Sequence, residues 1–202
     1  MNVNYNLYLV TDERTPIGEL LSIVEEAVQG GVTIVQLREK DTDGLAFYKK
    51  AIHLKALLKS YQVPLIINDR VDIALAVGAD GIHVGQNDMP LSALKRIVPR
   101  SMIIGVSAQT VEQAQLAEKN GADYIGIGSA FSTKTKQDAI VLPKKTLKAV
   151  RDSVNIPAVA IGGITLENVQ QLKEINFSGI AVVSAIMKAK NPKEAAKKFI
   201  NR

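Results

Sequence analysis

Gly78-Ala79-Asp80-Gly81-Ile82 recurs in the chain as Gly121-Ala122-Asp123-Tyr124-Ile125. In both copies a glycine, free to adopt the left-handed conformation, follows an amphipathic stretch, and a short apolar run begins just after the aspartate. This is the return turn of a strand–helix unit. Gly30-Gly31-Val32 does the same job, and Ser178-Gly179-Ile180 is a weaker echo. Working outward, short runs stand at Leu7–Thr11, Thr33–Leu37, Leu65–Asn68, Gly81–Gly85, Met102–Ser107, Tyr124–Gly128, Ala158–Gly162 and Gly179–Ser184. Apolar runs of this length suit strands buried on both faces of a parallel sheet. Between them, Pro16–Gln29 carries Ile17, Leu20, Leu21 and Val24 at helical spacing, and further helices are expected to start near Asp43, Val71, Leu91, Thr110, Pro143, Thr165 and Pro192. Eight strand–helix units in 202 residues is the arithmetic of a single α/β domain, a (β/α)8 TIM barrel of eight parallel strands over residues 1–202, near its minimum size. An open doubly wound sheet would carry a glycine-rich fingerprint after its first strand, where this chain has Thr11-Asp12-Glu13-Arg14-Thr15.

The composition, 47% hydrophobic and 22% charged, is that of an ordinary globular domain. The chain has no cysteine and only two histidines, His53 and His83. Disulfides, thiolate nucleophiles, cysteine-ligated metals and three-histidine metal sites are thereby excluded. The net charge of +5 favours anionic ligands weakly; its plainer reading is lysines on solvated helix faces, as in Lys188–Arg202. With five Tyr and four Phe scattered along the chain, no stacking stripe for nucleic acid is visible. Neither a secretory leader nor a membrane-length apolar run is apparent, so a cytoplasmic protein without a membrane partner is expected. Assembly into a homo-oligomer is left open.

Barrel enzymes place their chemistry at the C-terminal ends of the strands. Alternation along Val35-Gln36-Leu37-Arg38-Glu39-Lys40 puts Gln36, Arg38 and Lys40 on one side, with Val35 and Leu37 toward the helices. Buried cations require an anion or a partner, and the readings are a phosphate-bearing ligand or an internal salt-bridge network. The third run ends in Asn68-Asp69-Arg70 and the fourth leads into Gly85-Gln86-Asn87-Asp88, which brings Asp69 and Asp88 side by side. Taken singly, Asp69 could cap a helix and Asp88 could make a turn. As a pair opposite Arg38 and Lys40 they suggest Mg2+, which is held by one or two carboxylates together with waters and substrate phosphates. Ser107 ends the fifth run and offers a hydroxyl. The loop Ser129–Asp138 is long for its place and carries hydroxyls and lysines that could fold over an anion, or could simply be solvated. Gly162, Gly163 and Ser184, after the seventh and eighth runs, fit the usual phosphate cradle of such barrels. His53 reads as a surface residue, and His83 as a hydrogen-bonded barrel residue rather than a ligand. Two anion sites on one mouth, one of them linked to magnesium, suit a reaction between a diphosphate and a monophosphate, driven by leaving-group stabilisation without a general base.

Taken in order, Val35–Lys40, Ile67–Asp72, Asp80–Asp88, Ile104–Ala108, Gly121–Gly126, Thr133–Lys136, Ala160–Ile164 and Val183–Ile186 closely resemble the thiamine phosphate synthase family over essentially the whole chain. The resemblance implies a transferase that joins hydroxymethylpyrimidine diphosphate to a thiazole phosphate carboxylate, giving thiamine phosphate, pyrophosphate and carbon dioxide. It implies Mg2+ on Asp69 and Asp88. It also implies pyrimidine diphosphate binding by Gln36, Arg38, Lys40, Asn68, Ser107 and Lys136, with the adjacent Leu37 and Glu39 counted in the same substrate-binding segment. Thr133, Lys134 and Thr135, with Gly162, Gly163, Val183 and Ser184, would bind the thiazole phosphate. Arg38, Lys40, Ser107 and Lys136 would carry catalysis.

The chain departs from the family pattern in three places. Ser129 and Ser132 replace prolines common in the family, Arg70 stands where many members have a second acid, and Phe177-Ser178-Gly179 lacks the Gly-Ala-Asp form. Competing readings are a thiazole tautomerase on the same barrel and a non-catalytic binder of thiamine precursors. Neither needs Asp69, Asp88, Arg38, Lys40 and Lys136 together.

Overall fold

The computed structural model describes residues 3–13, 15–133 and 139–201. Among these, eight parallel strands close into a barrel in sequence order. They are β1 (Leu7–Val10), β2 (Ile34–Leu37), β3 (Leu65–Asn68), β4 (Gly81–Val84), β5 (Ile103–Ala108), β6 (Tyr124–Ile127), β7 (Ala158–Ile161) and β8 (Gly179–Val182). Pairing of Leu9 with Val35 on one side and Val182 on the other closes the ring. The helices outside it are α1 (Ile17–Gln29), α2 (Gly44–Tyr61), α3 (Val71–Ala76), α4 (Leu91–Ile97), α5 (Val111–Lys119), α6 (Lys144–Asp152), α7 (Ser184–Met187) and α8 (Pro192–Ile200). No helix of the described residues is long and apolar enough to cross a membrane.

Alternation divides the core in two. Tyr8, Ile34, Ile66, Ile103, Tyr124 and Val159 fill the barrel interior. Leu9, Val35, Leu37, Leu65, Ile82 and Ile125 pack outward against the helices. In β2 the inward series continues through Gln36, as the sequence alternation requires. Helix starts follow local chemistry. Asp43, Thr110 and Asn191 accept from Ala46, Gln113 and Glu194 amides at the heads of α2, α5 and α8, while Pro16, Pro90 and Pro143 precede α1, α4 and α6.

The repeated turn has a specific function at the base of the barrel. Gly78 and Gly121 adopt φ of +59° and +83°, ending their helices. The following aspartates then reach back to the preceding strand. Asp80 Oδ2 accepts from the Leu65 amide at 2.8 Å and Asp123 Oδ2 from the Ile104 amide at 2.7 Å. Thr33 Oγ1 stands in the same relation to Leu7 N at 3.2 Å, and Ser178 Oγ to Ala158 N at 3.2 Å. The weaker echo around Ser178 is therefore the same clip made with a hydroxyl, and the four clips join β1 to β2, β3 to β4, β5 to β6 and β7 to β8.

Two elements differ from the sequence reading. The helix expected from Thr165 is instead a 3-10 turn at Val169–Leu172. Asn168 Oδ1 accepts from the Thr165 amide at 2.8 Å and its Nδ2 donates to Gly163 O at 2.8 Å, capping the start of a turn that runs only as far as Leu172. The eighth strand stops at Val182, and Ser184, expected within that run, opens the short α7.

Replacing Asp80 with alanine removes the acceptor for the Leu65 amide, whose residue is fully buried. The expected loss is about 1–3 kcal/mol in urea unfolding. Asp152→Ala, which breaks only the exposed Lys148–Asp152 pair, is expected to change stability by less than about 0.5 kcal/mol.

Candidate active site

The C-terminal ends of the strands surround a cavity of about 450 Å3. Its floor is polar. Gln36 Nε2 donates to Tyr8 Oη at 2.8 Å, and Tyr8 Oη lies 2.7 Å from Tyr124 Oη. Tyr124 Oη lies 2.9 Å from His83 Nδ1, and His83 Nε2 lies 2.9 Å from Ser107 Oγ. Glycines make room for the rings: a Cβ on Gly105 would fall inside the Tyr124 ring, and one on Gly126 would press on His83 at 3.3 Å. Burial raises the phenol pKa of both Tyr8 and Tyr124 and lowers that of His83 to about 4, so the imidazole is neutral near pH 7. The expectation of a hydrogen-bonded barrel histidine holds for His83, and His53 is exposed, bonded to Lys49 O.

One wall is charged. Arg38 and Lys40 leave β2 toward the cavity. Arg38 Nη1 contacts Glu13 Oε2 at 3.4 Å, and the same carboxylate oxygen accepts from the Lys40 amide at 3.2 Å. Lys40 Nζ is paired with Asp69. Asp69 has a positive φ of 61°, uncommon for a residue other than glycine. It does not cap α3, which begins without a side-chain cap. Burial pushes its carboxyl pKa up, Lys40 opposes this, and Asp88 alongside adds to it. Asp88 also makes the turn that was its plainer reading, accepting from the Gly85 amide at 2.7 Å.

Leu37 and Glu39, counted in the substrate-binding segment from the sequence, turn away from the cavity. Leu37 packs in the outer core. The Glu39 side chain is fully buried, accepting from Lys50 Nζ at 2.8 Å and from Thr42 Oγ1 at 2.6 Å. Lys50 Nζ also donates to Glu13 O at 3.3 Å, so a single ammonium joins α2 to the loops after β1 and β2. Alternation accounts for both residues, since they occupy the positions between the inward-facing Gln36, Arg38 and Lys40.

Opposite, Gly162 and Gly163 line the cavity with φ of +104° and +60°, close under Ser129 and Ser132. Asn68, Ser107, Thr133, Val183 and Ser184 line it as well. Lys134, Thr135 and Lys136 lie outside the described residues. Ser129 is tied into the loop stem, its amide donating to Ile140 O at 3.2 Å and its hydroxyl to Phe131 O at 2.6 Å. Arg70 points elsewhere, forking onto Asp72 at 2.8 and 2.6 Å. Sequence reasoning missed the tyrosine floor and Glu13. The tyrosines had a signal, in that Tyr8 and Tyr124 sit in apolar runs with Gly105 supplying the space; Glu13 had none.

Lys50→Met should leave the buried Glu39 carboxylate unpaired and cost about 3–5 kcal/mol in chemical denaturation, with partial recovery in the Lys50→Met/Glu39→Gln double variant. His83 gives a pH signature. Its pKa is depressed in the fold, so between about 6.5 and 4 the unfolded chain binds the extra proton and the folded one does not. Stability therefore falls as pH drops through that window, by up to about 3 kcal/mol, and His83→Gln should flatten that part of the pH–stability curve.

The comparisons with known proteins agree with this geometry. Residues 7–186 match the family model described as thiamine monophosphate synthase. The thiamine-phosphate synthase of Methanobrevibacter smithii is 49% identical over 199 residues, covering 98% of this chain and 95% of that one. The thiamine-phosphate synthase of Ruminiclostridium cellulolyticum is 51% identical over 199 residues, with the same coverage. Among solved structures, thiamine phosphate pyrophosphorylase from Pyrococcus furiosus superposes with a TM-score of 0.88 at 38% identity, covering 98% of this chain and 95% of that chain. A barrel of this closure with this mouth, matched along nearly its full length, is an enzyme of the thiamine monophosphate synthase family, to which the chain belongs.

Proposed function

We propose that the protein makes thiamine phosphate in thiamine biosynthesis, by joining 4-amino-5-hydroxymethyl-2-methylpyrimidine diphosphate to 4-methyl-5-(2-phosphoethyl)thiazole or its 2-carboxylate tautomer. The observation that carries the reading is the division of one cavity into a charged wall of Arg38, Lys40, Asp69 and Asp88 and a glycine wall of Gly162 and Gly163. The first suits a diphosphate with a cation, and the second a monophosphate met by bare backbone. The family membership supports the same pairing.

Asp69 and Asp88 fit Mg2+. They stand together at the end of β3 and in the loop after β4, one of them destabilised as an anion by burial and by the other; two carboxylates with water and phosphate oxygens would be enough to hold the ion. Bound there, Mg2+ would neutralise charge developing on the leaving pyrophosphate. Lys40, paired with Asp69 at the cavity rim, would contact the diphosphate. Arg38 would bind phosphate oxygens while Glu13 fixes its direction. Gln36 and Ser107 reach the floor and would hold the pyrimidine ring, with Asn68 at its edge. Lys136 and Thr135, outside the described residues, are assigned by resemblance to the diphosphate and the thiazole phosphate. In the reaction the methylene–oxygen bond of the pyrimidine breaks and its electron pair leaves with pyrophosphate. The thiazole nitrogen lone pair then forms the new carbon–nitrogen bond; where the thiazole is carboxylated, carbon dioxide leaves, the electron pair of the broken C–C bond stays on the heterocycle, and a proton from solvent takes it up. No protein group has to remove a proton before the diphosphate departs.

Asp69→Asn keeps a residue tolerant of positive φ and removes the charge. Thiamine phosphate formation, followed by mass spectrometry with both substrates and Mg2+, should fall at least about 100-fold in the variant, as for loss of an electrostatic contact made in the transition state. Chelator should abolish wild-type turnover. Turnover at the wild-type rate in Asp69→Asn, or in chelator, would sink the metal assignment; absence of product from the wild type would sink the function.

A further inference from the structure

The barrel floor holds more polar structure than binding requires. Tyr8 and Tyr124 sit among Ile34, Ile66, Ile103 and Val159, where aliphatic side chains would fill the space at lower desolvation cost. Their hydroxyls, with His83, form an unbroken chain from Gln36 to Ser107. Each hydroxyl carries one proton and a neutral imidazole carries one N–H, so the chain has a direction. Gln36 Nε2 donates to Tyr8. The Tyr8 proton then goes to Tyr124, the Tyr124 proton to His83 Nδ1, and the His83 proton on Nε2 to Ser107 Oγ. A reversal at any one link would place two protons in one contact and none in the next, at a cost of a buried unsatisfied group.

We infer that Tyr8, Tyr124 and His83 are positioning residues that lock the polarity of the Gln36 amide and the Ser107 hydroxyl together, and so make the cavity select an aminopyrimidine over its oxo counterpart. The inference rests on the pyrimidine diphosphate reading and extends it to residues below the ligand. With Nε2 committed to Tyr8, Gln36 presents its carbonyl and one remaining N–H. Ser107, which accepts from His83, keeps its own O–H to donate. An acceptor and a donor on one side and a donor on the other match an aminopyrimidine, which offers an exocyclic N–H donor and two ring-nitrogen acceptors. In the oxo form the amino donor becomes an acceptor and the neighbouring ring nitrogen a donor. Gln36 could meet that pattern only by flipping, and the flip would have to reverse every link down to Ser107.

The test uses the unreactive monophosphates of the 4-amino and 4-oxo hydroxymethylpyrimidines as competitive inhibitors of thiamine phosphate formation, so that differences in leaving-group chemistry do not enter. The wild type should prefer the amino form by at least about 100-fold, as a site built around specific hydrogen bonds does. In Tyr124→Phe, which cuts the chain at its centre, the preference should drop below about 10-fold while the KM for the thiazole phosphate stays unchanged. Tyr8→Phe, which frees the Gln36 amide at the other end, should give the same result and carries the test if Tyr124→Phe does not fold. A preference undiminished in a folded variant, or absent from a wild type that turns over both substrates, overturns the inference alone. A wild type that forms no thiamine phosphate overturns the functional reading and the inference with it.

Discussion

Strands of four residues, as seven of the eight described strands are, leave few ladder bonds to hold register, and in a parallel barrel register decides everything placed above it. A shift of one residue in β2 would send Gln36 and Arg38 outward and bring Leu37 inward. The side-chain clips from Thr33, Asp80, Asp123 and Ser178 to the preceding strands act against that slip. They lie at the bottom of the barrel, remote from the cavity, and bind backbone amides at the start of β1, β3, β5 and β7. The division fits the usual arrangement of such barrels, stability below and chemistry above.

Above that frame the cavity is built in two materials. The floor is a closed set of neutral hydrogen bonds held by aromatic rings. The rim is ionic and only partly neutralised within the protein. Lys40 has Asp69, Arg38 has a long contact to Glu13, and Asp88 has a backbone amide. A neutral floor suits recognition of a flat ring, since it changes little with its surroundings. An ionic rim with rearrangeable partners suits a ligand whose charge moves during reaction. The positive φ of Asp69 belongs to this rim: the backbone departs from the common regions where its side chain has to meet Lys40 and Asp88.

The repeat, the eight runs and the inward series Gln36, Arg38 and Lys40 were legible because alternation and capping are local rules that hold wherever a strand is buried on both faces. The same rule turns the side chains of Leu37 and Glu39 away from the cavity, as the structure shows. The apolar spacing after Thr165 is helical, but the chain there makes only the 3-10 turn Val169–Leu172, and spacing alone does not distinguish the two. α7 was hidden inside an apolar run that continues past the point where the strand ends. Glu13 was invisible because its role depends on Lys50, Arg38 and the Lys40 amide arriving from other elements. The Tyr8–Tyr124–His83 chain is half visible in sequence: His83 reads as a hydrogen-bonded barrel residue, while nothing local marks Tyr8 and Tyr124 as its partners.

The fully buried Glu39 carboxylate and the partly exposed Lys40–Asp69 pair involve adjacent residues of the loop after β2, and dissolved salt acts on them differently. Mobile ions reach the second pair and not the first, with a screening distance of about 8 Å at physiological ionic strength. Raising ionic strength therefore weakens attraction at the rim without loosening the anchor beneath it. Binding of an anion at this rim would then be adjustable by the medium while the shape of the loop is not, and a change in affinity with salt could be read as electrostatics rather than a change in fold.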